Sequence, residues 1–253
     1  MVGKLNRRGI KMKLHLLWQN NETRQFYHVG NLEHIGDEYV FSYTLEEGKR
    51  KLKEAMENGY RPHLSFPDIQ REYKSSQLFG AFARRTPDSK RPDYKAILND
   101  LGLPQDSTVM DLLRATGGRL MTDSYEFLAP LHFELDGSFS VDFFIRGLRY
   151  YDWDNICHQL VVGDELKLEC EPDSPKDNKA VAIFTKDGKN LLGYIPSPIY
   201  SEFIFDNKEV LKIGAEFSKI NEYAKPQQRI CVRVQGLELQ KNIIMDDNTF
   251  LLV

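Results

Sequence analysis

Arg149-Tyr150-Tyr151 sets a permanently charged guanidinium beside two phenol rings. A planar guanidinium fork suits phosphate oxygens, and an exposed ring offers a nucleic-acid base a face on which to stack. One of the two rings is expected in a core and the other at the surface. Farther along, Glu171-Pro172-Asp173-Ser174-Pro175-Lys176-Asp177 places two prolines in one loop and stiffens it. Asp177, at the end of that loop, is placed to accept hydrogen bonds from loop N–H groups or from a ligand hydroxyl. Ser174 and Lys176 add a hydroxyl and an ammonium, the latter suited to a phosphate contact. Phosphate, base and hydroxyl are the groups present at the end of a nucleic-acid strand, so the chemistry these residues point to is recognition.

A second group is apolar and basic. Leu78, Phe79 and Phe82 share one face at helical spacing, with Arg84 and Arg85 beside them. Such a surface could dock a protein partner; the alternative is that all three apolar residues are core. Arg84, Arg85, Lys90, Arg91 and Lys95 form a basic cluster broken by Asp88 and Asp93, the pattern of a solvated helix junction. Asp152, Asp154 and Asp164 flank Trp153, but no lysine or further carboxylate stands at a spacing that would complete a metal-dependent nuclease, so they read as turn residues. His15, His28, His34, His63, His132 and His158 are scattered without ligand spacing. Cys157, Cys170 and Cys231 are odd in number and lack a CxxC pair, so neither a disulfide framework nor a zinc ribbon is expected. Walker A, G-x-S-x-G and HExxH motifs are absent. The expectation is a non-catalytic protein with no cofactor and no metal.

Composition fits recognition at a local site. Of 253 residues, 41% are hydrophobic and 28% charged, the balance of a globular chain. Residues 1–138 hold 20 Lys/Arg against 19 Asp/Glu, whereas residues 139–253 hold 14 against 18. A net charge of −4 in the second half excludes broad electrostatic coating of nucleic acid, which depends on many phosphate contacts. No apolar run approaches the roughly 20 residues of a membrane span. The basic start lacks the apolar stretch of a secretory signal, so a cytoplasmic protein is expected.

The elements that must position these residues fall into two α+β domains. Lys4, Arg7, Arg8, Lys11 and Lys13 mark a basic tail, read as flexible over residues 1–12. Strands are predicted over Leu14–Gln19, Arg24–Leu32 and Glu38–Thr44, with turns at Asn20-Asn21 and Gly36-Asp37. Helices are predicted over Glu46–Asn58, Gln77–Arg84, Asp93–Leu101 and Ser107–Thr116, the last three carrying apolar stripes and the last two ending at glycine. From Ser138 the pattern turns to strands: Phe139–Leu148, Glu165–Cys170, Ala180–Thr185, Leu191–Ile195, Lys212–Tyr223 and Arg229–Leu239. One helix, Pro198–Leu211, interrupts them. Closely spaced strands with a single helix predict a small β-barrel over 135–253, preceded by a domain over 13–134 with a small sheet and helices.

Three motifs make the second domain resemble the HIRAN family, over about 100 residues. They are Gly147-Leu148-Arg149-Tyr150-Tyr151; Val162-Gly163-Asp164-Glu165-Leu166 leading into Glu171-Pro172-Asp173-Ser174-Pro175-Lys176-Asp177-Asn178-Lys179-Ala180; and Leu192-Gly193-Tyr194-Ile195-Pro196. The resemblance implies a non-catalytic module that holds the 3′-hydroxyl end of single-stranded DNA, with Arg149, Tyr150, Tyr151 and Asp177 in contact with it. Ser174 stands where the family usually has Asn, and Lys176 where its eukaryotic DNA-end binders have an aromatic residue.

The first domain resembles the small N-terminal subdomain of HipA-type kinases. The resemblance rests on Tyr39-Val40-Phe41-Ser42-Tyr43, His63-Leu64-Ser65-Phe66-Pro67, the stretch from Leu78-Phe79-Gly80 to Arg91, and Leu112-Leu113 with Gly117-Gly118-Arg119 and Asp123. That subdomain is not catalytic, and the glycine-rich, H-R-D and D-F-G segments of a kinase body are absent here. The two resemblances imply an adaptor: the barrel binds a DNA end, and the first domain docks a partner such as a kinase, nuclease or helicase, in repair or in defence against foreign DNA. The alternative they imply is an antitoxin-like regulator of a HipA-type kinase, with the barrel as a protein-interaction module.

Overall fold

Alternating apolar residues, tight hairpin turns and glycine-stopped helices order the first part of the chain. The computed structural model describes residues 10–134, 136–175, 177–224, 226–238 and 249–251. The chain divides into two compact units, Met1–Ala129 and Pro130–Val253.

The first unit runs β1 (Ile10–Gln19), β2 (Phe26–Ile35), β3 (Glu38–Tyr43), α1 (Leu52–Glu57), β4 (Tyr73–Ser75), α2 (Gly80–Ala83), α3 (Tyr94–Leu101), α4 (Val109–Thr116) and β5 (Tyr125–Leu128). Its sheet has the order β4-β3-β2-β1-β5, and every neighbouring pair is antiparallel. Gly36-Asp37 closes the β2–β3 hairpin between the paired Ile35 and Glu38, with Gly36 in the left-handed region at φ +58°. Thr108 and Asp111 form a reciprocal capping box at the start of α4, and left-handed Gly117 stops it. Phe41 lies at the centre of the core, with ring centroids 4.5 Å from Phe66 and 5.3 Å from Phe82.

Several boundaries differ from expectation, each for a local reason. β1 begins inside the expected tail, because Ile10 and Met12 continue the ladder opposite Ile35 and His34. Residues 1–9, the rest of that tail, lie outside the described residues. The helix over Glu46–Asn58 shrinks to α1, since Gly48 and Arg50 take positive φ and Lys51 is extended, bridging to His28. The helix over Gln77–Arg84 shrinks to α2, because Phe79 remains extended at ψ 133°.

The second unit comprises β6 (Leu131–Phe133), β7 (Ser138–Phe144), a 310 turn (Leu148–Tyr150), α5 (Trp153–Ile156), a second 310 turn (Cys157–Gln159), β8 (Leu166–Glu171), β9 (Ala180–Thr185), β10 (Leu191–Tyr194), α6 (Ile199–Asn207), β11 (Leu211–Ile220), a third 310 turn (Pro226–Gln228), β12 (Ile230–Glu238) and β13 (Thr249–Leu251). Residues 131–133 therefore belong with the second unit, where β6 pairs with β7 and β13. α6 packs on β9, whose Ala180–Ile183 stretch is buried on both faces.

The strands form two sheets, β10-β9-β8 and β11-β12-β7-β6-β13. Single bridges, Arg146↔Tyr194 and Glu165↔Glu216, join them. The expected small barrel is thus not closed among the described residues: it consists of two bridged sheets. β7 stops at Phe144, and Gly147 turns the chain at φ +86° before a second ladder can form. The unit also has more than the single helix expected, because Leu148–Gln159 folds into turns and α5 instead of extending the strand.

Among the described residues no helix is long and apolar enough to cross a membrane.

Candidate nucleic-acid interface

Two segments of the second unit carry the residues that the sequence singles out for recognition: the turn after β7 and the loop between β8 and β9. Gly147, left-handed, redirects the chain so that Leu148 is buried while Arg149 and Tyr150 face solvent. Tyr150 is 67% exposed. The Arg149 guanidinium lies over its ring, 4.7 Å from the centroid, and donates from Nη2 to the phenol oxygen at 2.6 Å. A cation over an aromatic face is attractive by about 0.5–1 kcal/mol at an exposed site, so the pair forms one prearranged cationic and aromatic surface. Tyr151 is half-buried, its ring centroid 6.4 Å from that of Tyr194. The exposed ring of the two is Tyr150.

Tyr194 joins turn to loop. Its backbone N–H donates to Arg146 and its carbonyl accepts from Arg146, both at 2.9 Å. Its phenol donates to Glu171 Oε2 at 3.2 Å, at the start of the β8–β9 loop. Burial, followed by the hydrogen bond with Tyr151, holds the Tyr194 phenol above its ordinary range, and the Glu171 charge adds to this. Gly193 makes the approach possible: a Cβ there would lie 2.3 Å from the Arg146 carbonyl oxygen.

Asp177 is half-buried and already engaged. Oδ1 accepts from the Lys179 N–H at 3.0 Å, Oδ2 accepts from the Ser197 hydroxyl at 2.6 Å, and its carbonyl accepts from Ala180 N–H at 2.9 Å. The carboxylate fixes its loop against the segment that follows β10. Ser174 donates its N–H to the Glu171 carbonyl at 3.2 Å. Lys176 lies outside the described residues. Lys179 is ion-paired with Asp206 of α6. With Glu171 and Asp177 close by, the site is not a basic patch, in keeping with the local charge balance.

Of the residues the sequence points to, Arg149, Tyr150, Tyr151, Ser174 and Asp177 are described and Lys176 is not; the Tyr151–Tyr194–Glu171 contacts link the two segments. Tyr194, Glu171 and Ser197 were not singled out. Tyr194 was visible inside the Gly193-Tyr194-Ile195-Pro196 motif, where its order along the chain carried no hint of the partner it reaches.

The proposed partner-docking group is corrected by burial. Phe82 is 2% exposed within the ring cluster of the first unit. The Arg85 side chain is 1% exposed, ion-paired with Asp123, and donates to the Gly118 carbonyl at 3.0 Å. Leu78 and Phe79 pack half-buried on the same core, and Arg84 alone of the five is exposed. Helical spacing identified a core face and a buried anchor.

Residues 138–203 match the family model of the HIRAN domain. Among solved structures, the chain is similar to a protein from Lactobacillus plantarum at 21% identity, covering 40% of this chain and 99% of that one, with a TM-score of 0.32. It is also similar to the HIRAN domain of human HLTF at 20% identity, covering 41% of this chain and 80% of that one, with a TM-score of 0.28. No curated protein matches.

Proposed function

We propose that the protein binds DNA through its second unit and recognises single-stranded 3′ ends. The match of residues 138–203 to the HIRAN domain model supports a DNA-binding module. The observation that carries the reading is the Arg149–Tyr150 surface, a guanidinium stacked on an exposed ring in the turn that Tyr151 and Tyr194 connect to the β8–β9 loop. In this account Arg149 makes a charge-assisted contact to the terminal phosphodiester. Tyr150 stacks the last base, and Asp177 accepts a hydrogen bond from the terminal hydroxyl. Tyr151 and Tyr194 position the turn.

The protein acts as a binding module rather than as an enzyme, and the first unit supplies a separate surface for a protein partner. Leu78, Phe79 and Arg84 are the members of the predicted docking group with exposed surface left to offer.

Fluorescence anisotropy with a labelled linear oligonucleotide, competed by the same strand as a closed circle, tests the reading. The linear strand displaces the probe and the circle does not. Equal competition by the circle would remove the end from the account.

A further inference from the structure

Cys157, His158 and Glu222 bring three different metal-ligating groups together, and none has a part in the DNA-binding reading. Cys157 is buried in the second 310 turn, and His158 follows it. Glu222 comes from the turn after β11, far along the chain. One ligand atom of each lies within 4.8 Å of the other two, and His158 Nδ1 stands 3.9 Å from Glu222 Oε1.

We infer that Cys157, His158 and Glu222 form a binding site for a divalent transition-metal ion of the zinc class. Zinc holds thiolate sulfur at about 2.3 Å and imidazole nitrogen or carboxylate oxygen at about 2.0–2.2 Å, which sets tetrahedral donors about 3.5 Å apart. The three atoms therefore need to close by roughly an ångström to meet around one ion. The room for that movement lies where it is needed: the His158 side chain is 75% exposed and that of Glu222 40%, whereas Cys157 is buried. One anchored ligand and two movable ones can converge without disturbing the core.

The donor set selects the ion. A thiolate with an imidazole favours zinc or cobalt over magnesium and calcium, which take oxygen ligands. Three protein ligands leave a fourth position for water. Among the described residues, the thiol has a weak acceptor in the Asp154 carbonyl at 3.8 Å. His158 and Glu222 face each other at 3.9 Å at the surface, where even a full ion pair is worth little. With an ion bound, the segment that follows the Arg149–Tyr150 turn is tied to the β11–β12 connection. Binding displaces the thiol proton to solvent, so affinity rises with pH.

The test uses the full chain, reduced and freed of metal by a chelator, titrated with cobalt(II) and zinc(II). One cobalt binds per chain with a thiolate-to-cobalt charge-transfer band, and zinc competes it away while magnesium does not. Cys157→Ser abolishes the band. His158→Ala and Glu222→Gln weaken metal affinity by at least about tenfold, as loss of even an outer-shell partner does, and leave the melting temperature of the metal-free protein unchanged. These two exposed positions carry the test should Cys157→Ser fold poorly. The inference is overturned if no such band forms, if the band persists in Cys157→Ser and so reports Cys170 or Cys231, or if both exposed variants bind metal like the wild type.

Discussion

The Ser197 hydroxyl donates to Asp177 Oδ2 at 2.6 Å across 20 residues of sequence. This bond joins the β8–β9 loop to the corner between β10 and α6, and Oδ1 of the same carboxylate accepts the Lys179 N–H. Asp177 is thus a structural residue of the loop, held by both carboxylate oxygens.

Ser197→Ala should remove the bond that ties the Asp177 carboxylate to the corner after β10. The expected loss of stability is about 1 kcal/mol, the net worth of a partly solvated hydrogen bond, read as a lower denaturation midpoint. DNA-end affinity should fall with it. A variant with wild-type affinity would show that the loop needs no such tether.

Arg149→Ala should weaken binding of single-stranded DNA by roughly 1.5–3 kcal/mol, the range for hydrogen bonds to charged groups. Tyr150→Ala should cost about 1–3 kcal/mol through lost stacking. Both side chains are exposed, so loss of their mutual contact should cost stability no more than about 1 kcal/mol. Because the second half of the chain is net acidic, few phosphates are neutralised and the salt dependence should correspond to about two or three contacts. A steep slope in a salt titration would point to binding along the backbone instead.

Asp123→Ala should destabilise the first unit by about 3–5 kcal/mol, because it strands the buried Arg85 guanidinium without its carboxylate. Arg84→Glu, at an exposed neighbour, should leave stability within about 0.5 kcal/mol of the wild type. Thermal melts of the two variants separate anchor from surface.

Acid should destabilise the first unit. His15 and His28 are buried, with ring centroids 4.3 Å apart, and both reach Asn31 Oδ1, at 2.8 and 3.0 Å. Burial holds the His15 imidazole well below its ordinary 6.5, and burial likewise brings His28 to about 4. The unfolded chain takes up protons near pH 6.5 that the folded chain refuses, so stability is intact above that pH. It falls as pH drops from 6.5 toward 4, by up to about 1.4 kcal/mol per pH unit for each histidine. Urea midpoints measured between pH ~7.5 and ~5 check this; a flat profile would contradict it.

Sequence alone revealed what local chemistry decides. Gly36-Asp37 specified its hairpin, and Gly117 ended α4. What it concealed depends on long-range contact. Leu78, Phe79 and Phe82 have the spacing of an exposed docking stripe as much as of a core face, and only the rings of Phe41, Phe66 and Phe127 around Phe82 decide between them. Arg85 reads as surface charge until Asp123, 38 residues on, closes over it. Tyr194 and Ser197 gain their roles from partners across a sheet bridge and a loop, which no periodicity encodes. The extension of β7 through Leu148 failed at Gly147, where a positive φ overrode the apolar pattern.

The most direct test of DNA-end recognition is the ratio of dissociation constants for one single-stranded oligonucleotide ending in a 3′-hydroxyl or in a 3′-phosphate. The account places the terminal hydroxyl against the Asp177 carboxylate, which would repel an added phosphate, so the hydroxyl end should bind more tightly and Asp177→Ala should erase the difference. Equal affinity of the wild-type protein for the two ends would contradict it.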